Sequence, residues 1–337
     1  MIENPSAIRV VLTRSIVESE HLIDAVIFGP NGVKSAFGDI ERPVIARSSL
    51  KPLQVLPLVS TGAAAAFGFT EEEIALAAAS HSAEHMHLDR VEDILDRIGL
   101  GVSALECGPA RPLSEEQADR IVGLGQAFEP IHNCCSGKHA AFLAIAQHLG
   151  VDHAGYIEPD HPVQRLVTSA IEAFTGFDLS SQTPGIDGCG IPTYAVPLKL
   201  LAFSMMRLVR ADGQSMNDTA LAAAATKVVD ALAPHPEWMS GAGRAEVLFN
   251  ERATEPLIGK IGAEGVFVAA LPRRGLGVAL KARDGARRAA DLAMEAILLD
   301  LGVLPESAAG RTVTNAAGTV VGTMQVSWPC PHTTKKP

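Results

Sequence analysis

The sequence predicts an α+β fold, a sandwich in which one antiparallel sheet is flanked by helices and accompanied by a mostly helical lobe. Three observations carry this expectation. Strand-type runs fill the first forty-odd positions and return after position 245, so both ends of the chain can share one sheet. Positions 46–244 read mostly as helices, with start and stop signals in the right places. A last helix follows the second group of strands. The expected organisation is a single domain over 1–337, with 1–45 and 245–302 forming the sheet lobe with the last helix and 46–244 forming the helical lobe. A cleft between such lobes is a common place for a site.

Each element has its own warrant. Ile8–Leu12 and His21–Ile27 are rich in β-branched residues, and Gly29-Pro30-Asn31-Gly32 turns the chain into Val33–Gly38. A helix is expected from about Ser49, with Leu53, Leu56 and Val59 or Ser60 on one face. Thr70 and Glu73 form a capping-box pattern opening 71–79, and Ser114 with Gln117 repeats it for the helix around 118–124. Lys138–Leu149 is a helix stopped by Gly150. Pro162–Phe174, Pro197–Val209 and Thr219–Leu232 follow as helices. Glu246–Phe249, Gly265–Leu271 and Gly277–Ala282 read as strands, the last two joined by a hairpin turn at Pro272-Arg273-Arg274-Gly275. A helix from about Ala286 to Leu301 closes the body. Beyond Pro305 one edge strand, Val320–Val326, is expected.

Bulk composition narrows the function. The chain has 337 residues, 47% of them hydrophobic and 20% charged, as in a folded soluble protein. A net charge of -10 argues against a nucleic-acid partner, which would need a basic face. No apolar run is long enough for a membrane span, and the first residues have no secretory pattern. The expected location is therefore cytoplasmic. Five cysteines (107, 134, 135, 189 and 330) are an odd set for a disulfide framework and suit a reducing compartment. With only 4% aromatic residues the core must be aliphatic.

Chemistry is signalled most clearly by Ser48 and Lys51 in Ala46-Arg47-Ser48-Ser49-Leu50-Lys51-Pro52. S-x-x-K at a helix start puts a hydroxyl and an amine on one face. A serine becomes a nucleophile when a neighbour takes its proton, and a lysine with a lowered pKa can do so. The same four residues also fit a helix cap followed by a surface lysine. Ser80 follows an alanine-rich helix and reads either as a cap for the next helix or as a second hydroxyl relaying a proton. Lys260 opens Lys260-Ile261-Gly262, a Lys-x-Gly element entering a strand. The order S-x-x-K, mid-chain serine, Lys-x-Gly matches serine acyl-transfer enzymes of the penicillin-recognising kind.

Two glycine-flanked loops carry thiols: His132-Asn133-Cys134-Cys135-Ser136-Gly137-Lys138-His139 and Asp187-Gly188-Cys189-Gly190. The first opens a helix, which favours thiolate. Two thiolates and one nitrogen would suit zinc, while free cysteines are equally at home as small buried hydrophobes. His81, His85 and His87 do not share one helix face, so surface or outer-sphere roles are expected for them.

Taken in order, the segments around Ser48, Ser80, Cys135, Cys189 and Lys260 resemble those of the Rhizobium etli-type (class 3) L-asparaginases. The resemblance runs to about Gly302. It implies a fold like serine β-lactamases and penicillin-binding proteins, a homodimer, and hydrolysis of L-asparagine to L-aspartate and ammonia. It implies two Ser-Lys tandems, Ser48 with Lys51 and Ser80 with Lys260. It also implies zinc on Cys135, Lys138 and Cys189, completed by a water. A lysine ligand must be neutral, well below its free pKa of about 10.4. Arg47, Asp187 and His139 are the candidates for binding substrate. Ile261 stands where related folds often have threonine, which removes a hydroxyl from the site.

The expected mechanism has Ser48 attack the side-chain amide with Lys51 as base, while Ser80, tuned by Lys260, passes a proton to the departing ammonia. A glutaminase is the alternative within the class, because one methylene is worth only about 1–3 kcal/mol in an apolar pocket. A non-catalytic, zinc-stabilised amino-acid-binding protein is the alternative outside it. That protein would keep the thiols and have no use for Ser48 with Lys51.

Overall fold

The structure is a computed structural model and describes residues 6–211, 218–305 and 310–329. Its main sheet has eight strands, all antiparallel: β1 Ile8–Thr13, β2 Val17–Gly29, β3 Gly32–Phe37, β8 Ile258–Gly262, β9 Val266–Leu271, β10 Leu276–Ala282, β11 Arg311–Thr314 and β12 Val320–Ser327. Four short strands, β4 Pro43–Ile45, β5 Gly185–Ile186, β6 Pro192–Thr193 and β7 Ala195–Pro197, make two small ribbons, β4–β7 and β5–β6. The order across the main sheet is β11-β12-β1-β2-β10-β9-β8, with β3 also paired to β2. The two ends of the chain meet where Val26 lies opposite Ala279 in the β2–β10 ladder. The tail contributes a hairpin, β11–β12, where the sequence suggested one edge strand, and β12 extends the sheet beside β1.

The helices are α1 Lys51–Gln54, α2 Leu56–Ser60, α3 Ala63–Ala66, α4 Glu71–Ala77, α5 His85–Arg97, α6 Glu115–Gly123 and α7 Ser136–Leu149. They continue with α8 Pro162–Thr175, α9 Leu198–Val209, α10 Thr219–Leu232, α11 Pro236–Ser240, α12 Ala245–Arg252 and α13 Arg287–Asp300. The Thr70–Glu73 capping box forms in full, Ser114 Oγ accepts the Gln117 N–H, and Gly150 ends α7 in the left-handed conformation.

Alternation along the strands divides the core. Val26, Val268 and Ala279 face α9 through Leu201, Ala202 and Met205. Ala25, Ile27, Phe267 and Val278 face α13 through Ala293, Ile297 and Leu298. Burying each large aliphatic side chain here stabilises the fold by about 1.5–3 kcal/mol. Gly277 sets the spacing on the α9 side: a Cβ there would lie 2.0 Å from the Ala202 carbonyl oxygen. At the centre of the helices, residues 136–146 of α7 are buried on every side. Gly137 lets α7 approach α4, since a Cβ would meet the Leu76 carbonyl oxygen at 2.5 Å.

A second element also differs from expectation. Glu246–Phe249 lies within the helix α12, not in a strand. Leu248 is exposed while Glu246, Val247 and Phe249 are buried, so this short helix is enclosed on most sides. A helix covered that way loses its 3.6-residue hydrophobic rhythm and looks like a strand in sequence.

Candidate active site

Ser48 occupies a 3-10 turn, Arg47–Leu50, that follows β4 and leads directly into α1 and Lys51. Ser80 lies in the extended link between α4 and α5. Its N–H donates to Met239 O (2.9 Å), and the next N–H, of His81, donates to Cys134 O (3.0 Å). Lys260 is the middle residue of the edge strand β8. That strand runs against the Ser48 turn because Gly262 has no side chain: a Cβ would lie 2.7 Å from Ala46 O and 3.3 Å from Ser49 N. Both serine-bearing segments hold a non-glycine residue at positive φ, Arg47 (52°) and Ala83 (57°). Such conformations cost of order 1–3 kcal/mol each and persist only where the surroundings impose them.

Ser80 Oγ is the junction of the two lysines. The Lys51 amine donates to it at 2.9 Å and the Lys260 amine at 3.0 Å. Lys51 also reaches the Ala79 carbonyl and Cys135 Sγ, the latter at 3.1 Å. Its three partners do not include Ser48. Both lysines are fully buried. Burial lowers the Lys260 pKa to about 7, with Lys51 and Arg244 adding to the fall and Glu246 opposing it. Near neutral pH this amine is therefore divided between charged and neutral forms. When neutral it can accept the Ser80 proton.

Ser48 and Ser80 open into a cavity of about 330 Å³. Its walls include Arg47, Asp187 and Arg244, and its edge is formed by residues 261–265 after Lys260. Arg47 Nε donates to Asp187 Oδ1 at 2.7 Å, and the Gly188 N–H donates to the same oxygen at 2.6 Å. Arg47 and Asp187 thus stand where a small zwitterion could reach both charges.

Cys135 and Cys189 line the same cavity, and Lys138 lies behind them against Cys189. The Lys138 amine is 3.2 Å from Cys189 Sγ, and Cys135 is hydrogen-bonded to Cys189. Hydrogen bonds from Cys134 and Cys189 hold the Cys135 thiol well below its ordinary pKa despite burial, with Lys51 and Lys138 adding to the effect. The Cys135 thiolate and burial raise Cys189. Burial pulls the Lys138 pKa down, and the combined charges of Cys189, Cys135 and Asp187 outweigh it and raise it. No group of three His, Cys, Asp or Glu side chains among the described residues forms a metal cluster. Two sulfurs and an amine nitrogen that already lie close together are a donor set for zinc once Lys138 is deprotonated; without a metal the thiolate charges favour its ammonium, and a bound zinc would take the place of that proton. Tetrahedral zinc with bonds of about 2.0–2.3 Å separates an N and an S ligand by roughly 3.6 Å, close to the 3.2 Å here.

His139 does not border the cavity. It is fully buried one residue beyond Lys138, and its Nδ1 lies 2.7 Å from the Tyr156 hydroxyl. That hydroxyl also accepts the Glu106 N–H. Nε2 is buried without a hydrogen-bond partner. His81 and His87 are also fully buried, which removes the surface role from the two expected and leaves the outer-sphere one, and their rings stack 5.2 Å apart. The Ala83 N–H donates to His81 Nδ1 and so puts the ring proton on Nε2, which donates to Ser136 Oγ at 2.8 Å. His81 thereby ties the Ser80 segment to the start of α7. Cys330 lies outside the described residues.

Sequence reasoning missed Glu246, a buried carboxylate 4.0 Å from the Lys260 amine. It also missed Arg244, which borders the cavity. Neither sits in a recognisable motif, and the misread strand hid the helix start that brings both to Lys260.

A family model described as L-asparaginase II matches residues 10–326. The chain belongs to the L-asparaginase II family. Membership makes it an asparaginase-type amidohydrolase, in agreement with the resemblance carried by the five segments. No curated protein sequence matches it significantly. Among solved structures, a β-lactamase from Mycobacterium bovis is 16% identical, covering 84% of this asparaginase-family chain and 95% of its own, with a TM-score of 0.42. A Bacillus glutaminase is 11% identical, covering 84% and 92%, with a TM-score of 0.44. Among the described residues no helix is long and apolar enough to cross a membrane.

Proposed function

We propose that this family member is an L-asparaginase that hydrolyses the side-chain amide of L-asparagine through a serine ester, acting as a cytoplasmic homodimer. The observation that carries the reading is the pair of lysine amines on Ser80 Oγ, at 2.9 and 3.0 Å, beneath a cavity into which Ser48 also opens. A binding protein has no need of two buried amines on one hydroxyl.

Ser48 Oγ attacks the amide carbon and forms an ester; because the Lys51 amine bonds Ser80 and not Ser48, the proton passes by way of Ser80 Oγ to the two amines that share it. The N–H groups of Arg47 and Ser48 lie in the first turn, which the helix itself leaves without partners, so they can hold the oxyanion. Lys51 and Lys260 share Ser80, which delivers a proton to the departing nitrogen, so ammonia leaves as the carbon–nitrogen bond breaks. Water then attacks the ester, returns a proton through the same groups, and frees L-aspartate and the Ser48 hydroxyl. Arg47 binds the α-carboxylate and Asp187 the α-ammonium.

Cys135, Lys138 and Cys189 would hold one zinc ion, which as a Lewis acid supplies positive charge beside the cavity. His139, held by Tyr156, supports this set from behind and does not touch substrate. Ammonia release from L-asparagine measured beside L-glutamine tests the reading. A large preference for asparagine supports it. Preference for glutamine makes the protein a glutaminase, and no release from either refutes hydrolysis.

A further inference from the structure

We propose that Glu246 is the positioning residue of Lys260: its buried carboxylate steadies the amine against Ser80 and sets the pH at which that amine can take a proton. The inference rests on the reading above, in which Lys260 takes part in the reaction.

Glu246 is the second residue of α12 and is 1% exposed. Its Oε1 lies 4.0 Å from the Lys260 amine and 3.8 Å from Arg244, and accepts the Ile261 N–H at 3.4 Å. Its Oε2 is buried and has no hydrogen-bond partner. One long hydrogen bond is a poor return for burying a carboxylate, and a structural anchor would be better satisfied. What this carboxylate gives the site is charge. Burial pushes its pKa up, but Lys260 and Arg244 together hold it below the ordinary value, so it is an anion at neutral pH.

The groups around Lys260 are few. Glu246 and Arg244 come from the start of α12, Lys51 from α1, Ser80 from the α4–α5 link and Cys134 from the segment before α7. Burial, Lys51 and Arg244 all favour the neutral amine, and Glu246 is the strongest influence favouring the ammonium. Without the Glu246 charge the amine would stay neutral to lower pH. It would then cease to donate to Ser80 as an ammonium in the physiological range. Glu246 therefore keeps Lys260 able both to give and to receive a proton near neutrality.

Glu246→Gln keeps the shape and an acceptor for the Ile261 N–H and removes only the charge. Two readouts are taken on the full-length chain. One is the pH profile of kcat/KM for ammonia release from L-asparagine. The other is the titration of the Lys260 ¹³Cε resonance in protein labelled with ¹³Cε-lysine, assigned by its loss in Lys260→Met. In Glu246→Gln the resonance should titrate about one pH unit or more lower than in wild type, and the rate profile should move the same way. A purely structural role would lower the rate without moving either midpoint. An unchanged Lys260 midpoint overturns the proposal. If the resonance shifts while wild type releases no ammonia, Glu246 is still the partner of Lys260 and the asparaginase reading is what fails. Glu246→Asp, which keeps a charge at greater distance, should give a smaller shift in the same direction. If Glu246→Gln does not fold, an unmoved Lys260 midpoint in Glu246→Asp overturns the proposal equally.

Discussion

Replacing Gly262 by alanine is a one-methyl change that should disable the site. The added Cβ would sit 2.7 Å from Ala46 O, 3.2 Å from Val266 Cβ and 3.3 Å from Ser49 N. Two of these are backbone atoms on the turn that carries Ser48, so no rotamer change relieves them. Relief requires β8 and the turn to separate by about half an ångström, and overpacking of this kind costs about 1–3 kcal/mol. In a chain of this size that lowers Tm by roughly 1–4 °C. The separation pulls Lys260, two residues back along β8, away from Ser80, to which it is bonded at 3.0 Å. A misplacement near 1 Å costs about 100-fold in rate, so kcat/KM for asparagine should fall by roughly 10- to 100-fold. Thermal unfolding and ammonia release on the same sample check both parts. Wild-type Tm together with wild-type kcat/KM would refute the argument that Lys-x-Gly exists here to bring strand and turn together.

Further outcomes follow from the same geometry. With Lys260 held to about 7 in the fold and titrating near 10.4 when unfolded, the unfolded chain binds the extra proton between those values. The penalty is fully present below about pH 7, and stability should rise with pH from there towards 10.4; denaturant melts at pH 7 and 9 should show the rise, and Lys260→Met should reduce it. Purified protein never exposed to chelator should carry about one zinc per chain by elemental analysis, and Cys135→Ser or Cys189→Ser should lose it; zinc absent from wild type would reject the site. Thr70→Ala removes half of a complete capping box and should cost about 1 kcal/mol in denaturant unfolding with activity unchanged.

Local signals made most of the fold legible. The Thr70–Glu73 box, the Gly150 stop and the turn between β9 and β10 each depend on residues within a few positions of one another. The failure at Glu246–Phe249 has the opposite cause, since a short helix buried at 245–247 and 249 shows no 3.6-residue alternation to announce it. The tail hairpin was half visible because β11 is only four residues long and mostly exposed. In the site, Ser48, Ser80, Lys51 and Lys260 could be chosen by motif, but their connections could not. Ser80 and Lys260 are 180 positions apart, and only the folded sheet edge shows that Lys260 and Lys51 meet on the same hydroxyl. The burial of His81 and His87 was not legible, because helical spacing says which residues share a face and nothing about what covers it.

The most direct test of the central claim is ammonia release from L-asparagine by Ser48→Ala, with circular dichroism and Tm showing that it is folded. Ser48 is half-buried at the cavity wall. The account predicts a folded protein whose turnover falls by several orders of magnitude, because the ester can no longer form. A folded Ser48→Ala protein that releases ammonia at close to the wild-type rate would contradict it and leave Ser80, between its two lysines, as the group to which the chemistry must be reassigned.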